Sequence, residues 1–343
     1  MPAVTTVSRL LLFCLLVSVF VIRDYRIAGQ DTTASKVALG AKLFFDKRLS
    51  LDHTVSCATC HDPATAFTSK DTVAIGVQNR IGTRNVPTLL NARFGNSYFW
   101  DGRSPSLEEQ AKQPLLSPLE MGMISEAALV KRVSAIADYR LQFRRVFGDE
   151  GITLNTVVKA IASYERTLVS RDAPFDRFIA GDVNAITPTQ LNGWELFKGK
   201  AGCVQCHTFS PSTPFFTDFK FYNTGAARAD QDLGRFLVTR AEKDIGAFKT
   251  PALRDVELTG PYMHNGFLPT LLDVVRFYNQ GGRKNPNLDA RMRTLDLSET
   301  EMNEIVEFLR TLTSDEVLRR VQTSAPQTRH AASAKPQLTS KPN

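Results

Sequence analysis

The pentapeptide Cys-x-x-Cys-His occurs twice in this chain, as Cys57-Ala-Thr-Cys60-His61 and as Cys203-Val-Gln-Cys206-His207. Each copy places two thiols one helical turn apart, and an imidazole follows them directly. This spacing suits two thioether bonds to the vinyl groups of a haem, with the histidine directed at the iron. We therefore predict two covalently bound haem c groups, attached through these four cysteines and ligated axially by His61 and His207.

Three other uses of the motif compete with haem attachment. A thioredoxin-like redox pair would need a βαβ context, which the sequence around Cys57 and Cys203 lacks. A zinc site built from both copies would have to close the long interval between them, whereas zinc modules use short ligand spacings. Structural disulfides would not explain why a histidine recurs at the same offset. Haem attachment is therefore the favoured interpretation.

The charge of the 343-residue chain argues against a nucleic-acid partner. Its formal net charge is +7, but most of the excess lies in residues 317–343, which carry basic side chains and no acidic one. The rest is nearly neutral and has no cluster of Lys and Arg of the kind that neutralises phosphates. Residues 323–343 are also rich in small and polar residues without apolar periodicity, which predicts a disordered tail.

The N-terminus has the layout of a secretory signal. An apolar run from Leu10 to Ile22 follows a stretch whose only charged side chain is Arg9, and the run is too short to span a membrane comfortably. We predict a signal peptide over residues 1–28, which contains Cys14, and export to the periplasm. An uncleaved anchor is the alternative, because no clear cleavage motif precedes Ala28, and it would be the only membrane attachment.

The body of the chain has mostly helical periodicity, and strand signals are few. Apolar residues recur at helical spacing from Val157 to Leu168. Ser298-x-x-Glu301 is typical of a capping box that opens another helix. We therefore predict a mainly α protein in which long loops connect the helices.

Two similar amphipathic segments, residues 38–45 and 191–197, each precede one of the pentapeptides. This arrangement indicates an internal repeat of a helix that leads into a haem motif. We predict two cytochrome-c-like domains, one over 34–180 with the first haem and one over 181–315 with the second.

The distribution of histidine predicts that the first haem has a vacant distal side. No histidine occurs between His61 and the second motif, and His53 is so close to the first motif that we expect it on the proximal side. Met121 and Met123 remain, in a segment with Glu120, where they could line a cavity or ligate iron. A vacant iron beside a carboxylate is a place where peroxide can bind and its O–O bond can break.

The second haem has three candidate sixth ligands, Met263, His264 and Tyr278. Met263 could equally pack in a core, and Tyr278 could equally be an aromatic on the apolar side of a helix over 270–278. On the residues alone, the three candidates stay open.

Several motifs, taken together, resemble the bacterial dihaem cytochrome c peroxidase family, which includes the MauG branch. The resemblance covers about residues 34–315 and implies a peroxidase with two c-type haems. Besides the two pentapeptides, the motifs are Leu43-Phe-Phe-Asp46, Ala66-Phe-Thr68, Arg84-Asn-Val-Pro87, Phe99-Trp-Asp-Gly-Arg103, Pro118-Leu-Glu-Met-Gly122, Thr250-Pro-Ala-Leu-Arg254 and Thr259-Gly-Pro-Tyr-Met-His-Asn-Gly266.

The resemblance also implies roles for single residues. Glu120 matches the distal carboxylate that handles protons during peroxide cleavage, and Gln110 and Pro114 match other residues of that pocket. Trp100 matches the aromatic relay between the haems, and Tyr278 matches the sixth ligand of the second haem. The implied ligands of a calcium ion between the domains are the Asn85 side chain and the carbonyl groups of Thr259 and Pro261.

Two features resemble the MauG branch. Ordinary peroxidases of the family carry methionine where this chain has Tyr278, and many carry a distal histidine in the loop that here, over residues 62–84, has none. A tyrosine ligand should lower the potential of the second haem relative to methionine. The chain has only two tryptophans, however, and Ala201 precedes the second motif, so surface aromatics suited to oxidising a protein substrate are not evident.

We therefore expect an exported peroxidase that reduces hydrogen peroxide to water at the first haem. A small cytochrome c or cupredoxin would supply electrons through the second haem. Two alternatives stay open: MauG-like oxidation of a protein substrate through a high-valent dihaem state, and a non-enzymatic dihaem electron carrier or peroxide sensor. A vacant distal side argues against simple electron transfer.

Overall fold

The computed structural model describes residues 33–227 and 232–324, and helices dominate these ranges, as predicted for a mainly α protein. The predicted signal peptide and residues 325–343 of the predicted tail lie outside the described residues. The helices are α1 (33–45), α2 (Cys57–Cys60), α3 (Leu107–Leu116), α4 (Glu126–Ala135), α5 (Ala137–Phe147), α6 (Leu154–Glu165), α7 (Pro174–Ile179), α8 (Pro188–Lys198), α9 (Phe236–Thr239), α10 (Leu271–Asn279), α11 (Glu299–Arg310) and α12 (Asp315–Ser324).

Strands are few in the described ranges. β1 (Phe221–Tyr222) pairs antiparallel with β2 (Phe248–Lys249), and Tyr222 lies opposite Phe248. No helix in these ranges combines the length and the apolar character needed to cross a membrane.

Local sequence signals define where several helices begin. The Ser298 hydroxyl accepts a hydrogen bond from the Glu301 N–H (3.2 Å), and the Glu301 carboxylate accepts one from the Ser298 N–H (2.7 Å). This reciprocal pair confirms the predicted capping box at the start of α11. Thr270 and Asp273 form the same pair at the start of α10, the helix that carries Tyr278.

Two separate hydrophobic clusters form the core. The first contains side chains of α1, α3, α4, α5 and α6, and the second contains side chains of α7, α8, α10 and α11. Helix α12 follows the second cluster in the chain but returns to the first through Val317. We call residues 33–168 the first half and residues 175–312 the second half.

The same helix crossing occurs once in each half. A Cβ atom on Gly40 of α1 would lie 1.9 Å from the Ala160 carbonyl oxygen of α6, and one on Gly193 of α8 would lie 1.9 Å from the Glu304 carbonyl oxygen of α11. Only a residue without Cβ allows two helices to approach this closely. The crossing confirms the predicted internal repeat, with Gly40 equivalent to Gly193 and Ala160 equivalent to Glu304.

The repeat extends into the loops that lead to the cavity. Asn91 and Asp255 both adopt left-handed backbone angles, with φ of 61° and 58°. The Asn91 N–H donates to the Leu168 carbonyl after α6 (2.8 Å), and the Asp255 N–H donates to the Leu312 carbonyl after α11 (3.1 Å). Asn91 and Asp255 are therefore equivalent positions in the two halves.

Candidate functional site

A cavity of about 1430 Å³ lies between the two halves and is lined by both. Single-ligand pockets usually measure about 300–1,000 Å³, so this cavity has room for more than one large group. We call the part around the first pentapeptide the first chamber and the part around the second pentapeptide the second chamber. All the site residues predicted from the sequence line the cavity: Cys57, Cys60, His61, Asn85, Trp100, Gln110, Pro114, Glu120, Cys203, Cys206, His207, Thr259, Pro261 and Tyr278.

The two motif histidines are held in the same way. His61 Nδ1 lies 3.1 Å from the Phe67 carbonyl oxygen, and His207 Nδ1 lies 2.9 Å from the Phe216 carbonyl oxygen. This contact engages one ring nitrogen and leaves Nε2 for another partner, as is typical of metal-bound histidine. Burial lowers the pKa of both imidazoles, that of His61 to about 4, so both rings are neutral and able to coordinate a metal.

The remaining groups of the cavity also fit haem. All four motif cysteines are free thiols. Three buried polar atoms on the cavity wall have no hydrogen-bond partner among the described residues, namely Asn91 Nδ2, Glu165 Oε2 and Asn265 Oδ1. Buried polar atoms are nearly always paired, so these atoms indicate that a group with polar substituents belongs in the cavity. Free thiols, neutral imidazoles and unpaired polar atoms together fit two covalently attached haems.

Glu120 lies in the first chamber, in a turn held by a close backbone contact. The Val77 N–H donates to the Glu120 carbonyl (2.8 Å). A Cβ atom on Gly76 would lie 2.1 Å from the Leu119 carbonyl oxygen and 2.5 Å from that of Glu120. Burial raises the pKa of the Glu120 carboxyl, and Arg103 opposes part of that shift. A carboxyl with a raised pKa is suited to exchanging a proton near neutral pH.

Helices α3 and α10 occupy equivalent places beside the two chambers. Their N-caps, Ser106 and Thr270, stand at the same interval after the equivalent turns at Asn91 and Asp255. Counted from these caps, Pro114 on α3 corresponds to the tyrosine on α10. The position that carries a phenol in the second chamber therefore carries a ring without donor atoms in the first.

The other donors left open for the first haem differ in their placement. Met121 is buried and lines the cavity. Met123 is buried but does not line it, and His53 is exposed and does not line it. Of these three side chains, Met121 alone is placed to face the first chamber.

The three candidate ligands of the second haem all line the cavity. Burial raises the pKa of the Tyr278 phenol, and a hydrogen bond with Thr224 opposes the shift. A phenolate here therefore needs a cation such as ferric iron beside it. His264 is engaged differently, because its ring stacks on Phe248 with centroids 3.7 Å apart. Met263 adopts a left-handed backbone angle, with φ of 70°.

Trp100 links the two halves at the cavity wall. Its indole N–H donates to the Asn85 carbonyl (2.9 Å), and its own carbonyl accepts a hydrogen bond from the Lys249 N–H of β2 (2.8 Å). The Asn85 N–H in turn donates to the His264 carbonyl (2.7 Å). The indole is thus held in the cavity wall by the first half, and the Trp100 backbone is joined to the second half.

The predicted calcium ligands lie on the same wall. The Asn85 side chain donates through Nδ2 to the Thr72 carbonyl (3.2 Å), which leaves its amide oxygen for another partner. Thr259 and Pro261 line the cavity with it. Among the described residues, no cluster of three or more His, Cys, Asp or Glu side chains could hold a metal ion. A cation here would rely on amide and carbonyl oxygens, which calcium accepts.

The sequence analysis assigned no role to several charged residues of the wall. Arg84 pairs with Asp101 of the first half (2.6 Å) and with Asp232 of the second half (2.7 Å). Lys249 lies in the same wall, and burial lowers its pKa to about 8. Glu165 ends α6 and is buried there. Arg84 and Asp101 occur in two of the motifs named above, but no spacing pattern in the sequence groups them with Asp232, Lys249 or Glu165.

Two haem-attachment motifs, two neutral histidines and one cavity shared by repeated halves define a dihaem c-type cytochrome. A family profile described as di-haem cytochrome c peroxidase matches residues 34–184. The methylamine utilization protein MauG of Methylorubrum extorquens is 44% identical over 290 residues, which cover 84% of this chain and 80% of that protein. The cytochrome c551 peroxidase of Nitrosomonas europaea is 39% identical over 293 residues, which cover 84% and 83%.

Solved structures agree with this match. A MauG-like protein associated with microbial copper homeostasis has a TM-score of 0.75 and 31% identity, covering 84% of this chain and 92% of that one. The diheme peroxidase BthA from Burkholderia thailandensis has a TM-score of 0.74 and 25% identity, covering 83% and 87%. The chain belongs to the di-haem cytochrome c peroxidase family. The predictions of the family, of a peroxidase-type oxidoreductase and of a mainly α cytochrome-like fold are confirmed.

Proposed function

We propose that the protein reduces hydrogen peroxide to water at the first haem and receives electrons through the second. The observation that carries this proposal is the correspondence between Pro114 and Tyr278 on equivalent helices. A distal position without a donor atom leaves room for a small molecule at the iron, whereas a phenol can close the sixth position. Glu120 lines the first chamber and is suited to the proton transfer that peroxide cleavage requires.

The residues of the first chamber would bind peroxide and move its protons. A bound haem would supply the two electrons that cleave the O–O bond at this site. The Glu120 carboxylate can take the proton from one oxygen of hydrogen peroxide and deliver it to the other, which leaves as water. Gln110, one helical turn before Pro114, lines the same chamber and can hold the peroxide through its side-chain amide. The overall reaction is H2O2 + 2e⁻ + 2H⁺ → 2H2O.

Electrons would enter through the second half and cross at Trp100. Tyr278, as the sixth ligand of the second haem, would favour its ferric state. The indole of Trp100 lines the cavity and would pass charge by being oxidised and reduced in turn. The external donor would be a small protein with a haem or copper centre, a cytochrome c or a cupredoxin.

Calcium binding and export complete the proposal. The Asn85 amide oxygen and the carbonyl groups of Thr259 and Pro261 would hold one calcium ion where the halves meet, and the ion would fix their relative position. Dialysis against a calcium chelator should slow electron exchange between the haems, and added calcium should restore it.

The proposed export of the protein is tested separately. Mass analysis of the protein from a periplasmic extract tests whether cleavage removes residues 1–28.

Oxidation of a protein substrate is the second candidate, and it is favoured by Tyr278 and by the 44% identity to a MauG protein. The two tryptophans argue against it. Trp194 is only 8% exposed and packs in the second cluster, and Trp100 is hydrogen-bonded in the cavity wall. Ala201 is also buried. None of these three positions therefore offers a surface aromatic for long-range oxidation of a partner.

Optical and EPR spectra of the ferric protein, recorded before and after stoichiometric peroxide, test the proposal. We expect a high-spin first haem, a low-spin second haem and rapid oxidation of a reduced donor cytochrome on addition of peroxide. Two low-spin haems that do not react with peroxide would leave only the electron-carrier function. Reaction with peroxide that consumes no donor electrons would favour oxidation of a protein substrate instead.

The substitution Glu120→Gln tests the proposed acid. We expect the second-order reaction with peroxide to slow by about 100-fold or more, the usual contribution of a general acid–base group, while both haems stay attached. Glu109→Gln is the matched control, because Glu109 lies on α3 but pairs with Lys112 in an exposed ion pair. An unchanged rate in Glu120→Gln would remove this residue from the mechanism.

A further inference from the structure

Glu165 is a buried acid that the proposed mechanism does not use. It is 4% exposed, lines the cavity and ends α6. Its Oε2 atom has no hydrogen-bond partner among the described residues. A carboxyl oxygen buried without a partner is costly, because folded proteins satisfy nearly all such groups. This position therefore requires a reason beyond the packing of the first half.

The second half has no acid at the equivalent position. A Cβ atom on Gly40 would also lie 3.1 Å from Tyr164 Cβ, and one on Gly193 would lie 2.9 Å from Phe308 Cβ, so Tyr164 and Phe308 correspond. The next residue in each helix is Glu165 in the first half and Leu309 in the second. Both line the cavity. The same point of the fold is thus acidic beside the first chamber and apolar beside the second.

The charges around Glu165 leave it without an ion-pair partner. Arg166 follows it, but the Arg166 guanidinium makes two hydrogen bonds to the Glu108 carboxylate of α3, at 2.7 and 2.8 Å. Tyr98 and the Cys57 thiol are the other titratable groups that interact with Glu165, and Cys57 becomes a thioether when haem is attached. Burial raises the pKa of Glu165 to about 8, and Arg166 offsets part of that increase whereas Glu108 adds to it.

Glu165 is also electrostatically close to the point of haem attachment. The negative charge of Glu165 contributes to raising the pKa of the Cys57 thiol, and that of Glu120 contributes less. A charge on Glu165 therefore acts on a group bonded to the first haem. In the second half, the equivalent leucine lies in the hydrophobic cluster against which Cys203 packs. The arrangement places a buried carboxyl beside the first attachment site and an apolar side chain at the equivalent point beside the second.

We propose that Glu165 is a proton-binding site coupled to the oxidation state of the first haem. When an external reductant delivers one electron and converts ferric to ferrous iron, the Glu165 carboxylate takes up one proton from solvent, and no bond to iron forms or breaks. The electron removes positive charge that stabilised the carboxylate, so reduction favours the protonated form, and protonation reciprocally favours reduction. The inference depends on haem in the first chamber, which the proposed function also requires.

The coupling would have a use in peroxide reduction. Each turnover consumes two protons, and Glu120 relays a proton between peroxide oxygens without supplying a new one. Reduction would load a proton onto Glu165, in the wall of the chamber where peroxide is cleaved. Reduction of the first haem would thus bring a proton to the first chamber together with the electron.

Spectroelectrochemical titration of the holoprotein at a series of pH values tests the proposal. We expect the midpoint potential of the first haem to fall as pH rises through about 8. The steepest slope is a tenfold change in the reduction equilibrium constant per pH unit, which equals about 59 mV for one electron. Glu165→Gln and Glu165→Leu, the second introducing the residue of the second half, should abolish this slope. Glu109→Gln should keep it. Glu108→Gln should move the pH-dependent range lower, because a like charge is removed and Arg166 is released.

The outcomes separate this inference from the proposed function. A pH slope that persists in Glu165→Gln, or that is absent from the unmodified protein, overturns the assignment of the proton to Glu165. A slope that follows Glu165 in a protein inert to peroxide would support the coupling and contradict the peroxidase function. The thermal unfolding and the haem absorption of each variant are compared first, and the isosteric Gln variant serves where the Leu variant does not fold.

Discussion

At the scale of single residues, the two halves differ in chemistry where they agree in backbone. Pro114 stands where the second half has Tyr278, and Glu165 stands where it has Leu309. Both differences lie on the cavity wall. One repeated frame thus carries a proline and an acid beside the first chamber, and a phenol and a leucine beside the second.

The substitution Tyr278→Met tests the assignment of the sixth ligand. We expect the potential of the second haem to rise and its low-spin EPR signal to change, because a thioether favours ferrous iron more than a phenolate does. The control is Tyr222→Phe, which removes another tyrosine hydroxyl of the same cavity, one bonded to Asp218 (2.6 Å). An unchanged spectrum in Tyr278→Met would return the choice to Met263 and His264.

The substitution Gly76→Ala should move the Glu120 turn. The added methyl group would lie 2.1 Å from the Leu119 carbonyl oxygen, so the two loops must separate. We expect a loss of about 1–3 kcal/mol in unfolding free energy, as in other overpacked sites, and a slower reaction with peroxide. Gly95→Ala is the control, since its nearest neighbour would be 3.3 Å away. An unaltered peroxide rate would show that the turn does not depend on this contact.

Residue-level prediction succeeded where chemistry dictates sequence spacing. The pentapeptides placed both histidines in one cavity, because covalent attachment demands a fixed order of thiols and imidazole. Glu165 gave no such signal. In the sequence it follows Tyr164 as an ordinary polar residue near a helix end, and only the contact of α6 with Gly40 shows that it faces the cavity from a position equivalent to Leu309.

At the scale of helices, each half depends on one glycine crossing. Gly40→Ala and Gly193→Ala would each place a methyl group 1.9 Å from a carbonyl oxygen of the partner helix. In an exposed helix, the same change would stabilise by roughly 1 kcal/mol. Here we expect both variants to lose more than about 2 kcal/mol in denaturant unfolding, because the helices must move apart.

Each glycine variant should affect mainly the haem of its own half. Gly40→Ala should disturb the absorption of the first haem and Gly193→Ala that of the second. Glu195→Ala, an exposed change on α8, should leave the spectra and the unfolding curve as they are. Stability equal to the unmodified protein in both glycine variants would contradict the close crossing.

The paired segments 38–45 and 191–197 predicted the repeat but not the geometry of the helix crossing. Contact with a backbone carbonyl requires no particular side chain in the partner helix and so leaves no pattern in its sequence.

At the scale of the whole molecule, loop contacts join the two halves. The backbone hydrogen bond between Trp100 and Lys249 joins them, as does the bond between Asn85 and His264. Arg84 adds an ion pair to a carboxylate of each half. Sequence periodicity predicts helices and their apolar sides, whereas these loop contacts join residues far apart in the chain and follow from no local pattern.

Arg84→Gln should therefore loosen the halves without emptying either chamber. Asp232 would lose its cation in a largely buried setting, where removal of one partner costs about 3 kcal/mol or more, whereas Asp101 would keep its ion pair with Arg103 (3.0 Å). We expect calorimetry to resolve two unfolding transitions and stopped-flow spectra to show slower electron exchange between the haems, while the first haem still reacts with peroxide. Arg177→Gln is the control, because Arg177 pairs with Asp315 at the surface, where an ion pair contributes at most about 1 kcal/mol. A single transition with unchanged electron exchange would mean that the backbone hydrogen bonds at Trp100 and Asn85 hold the halves without the ion pair.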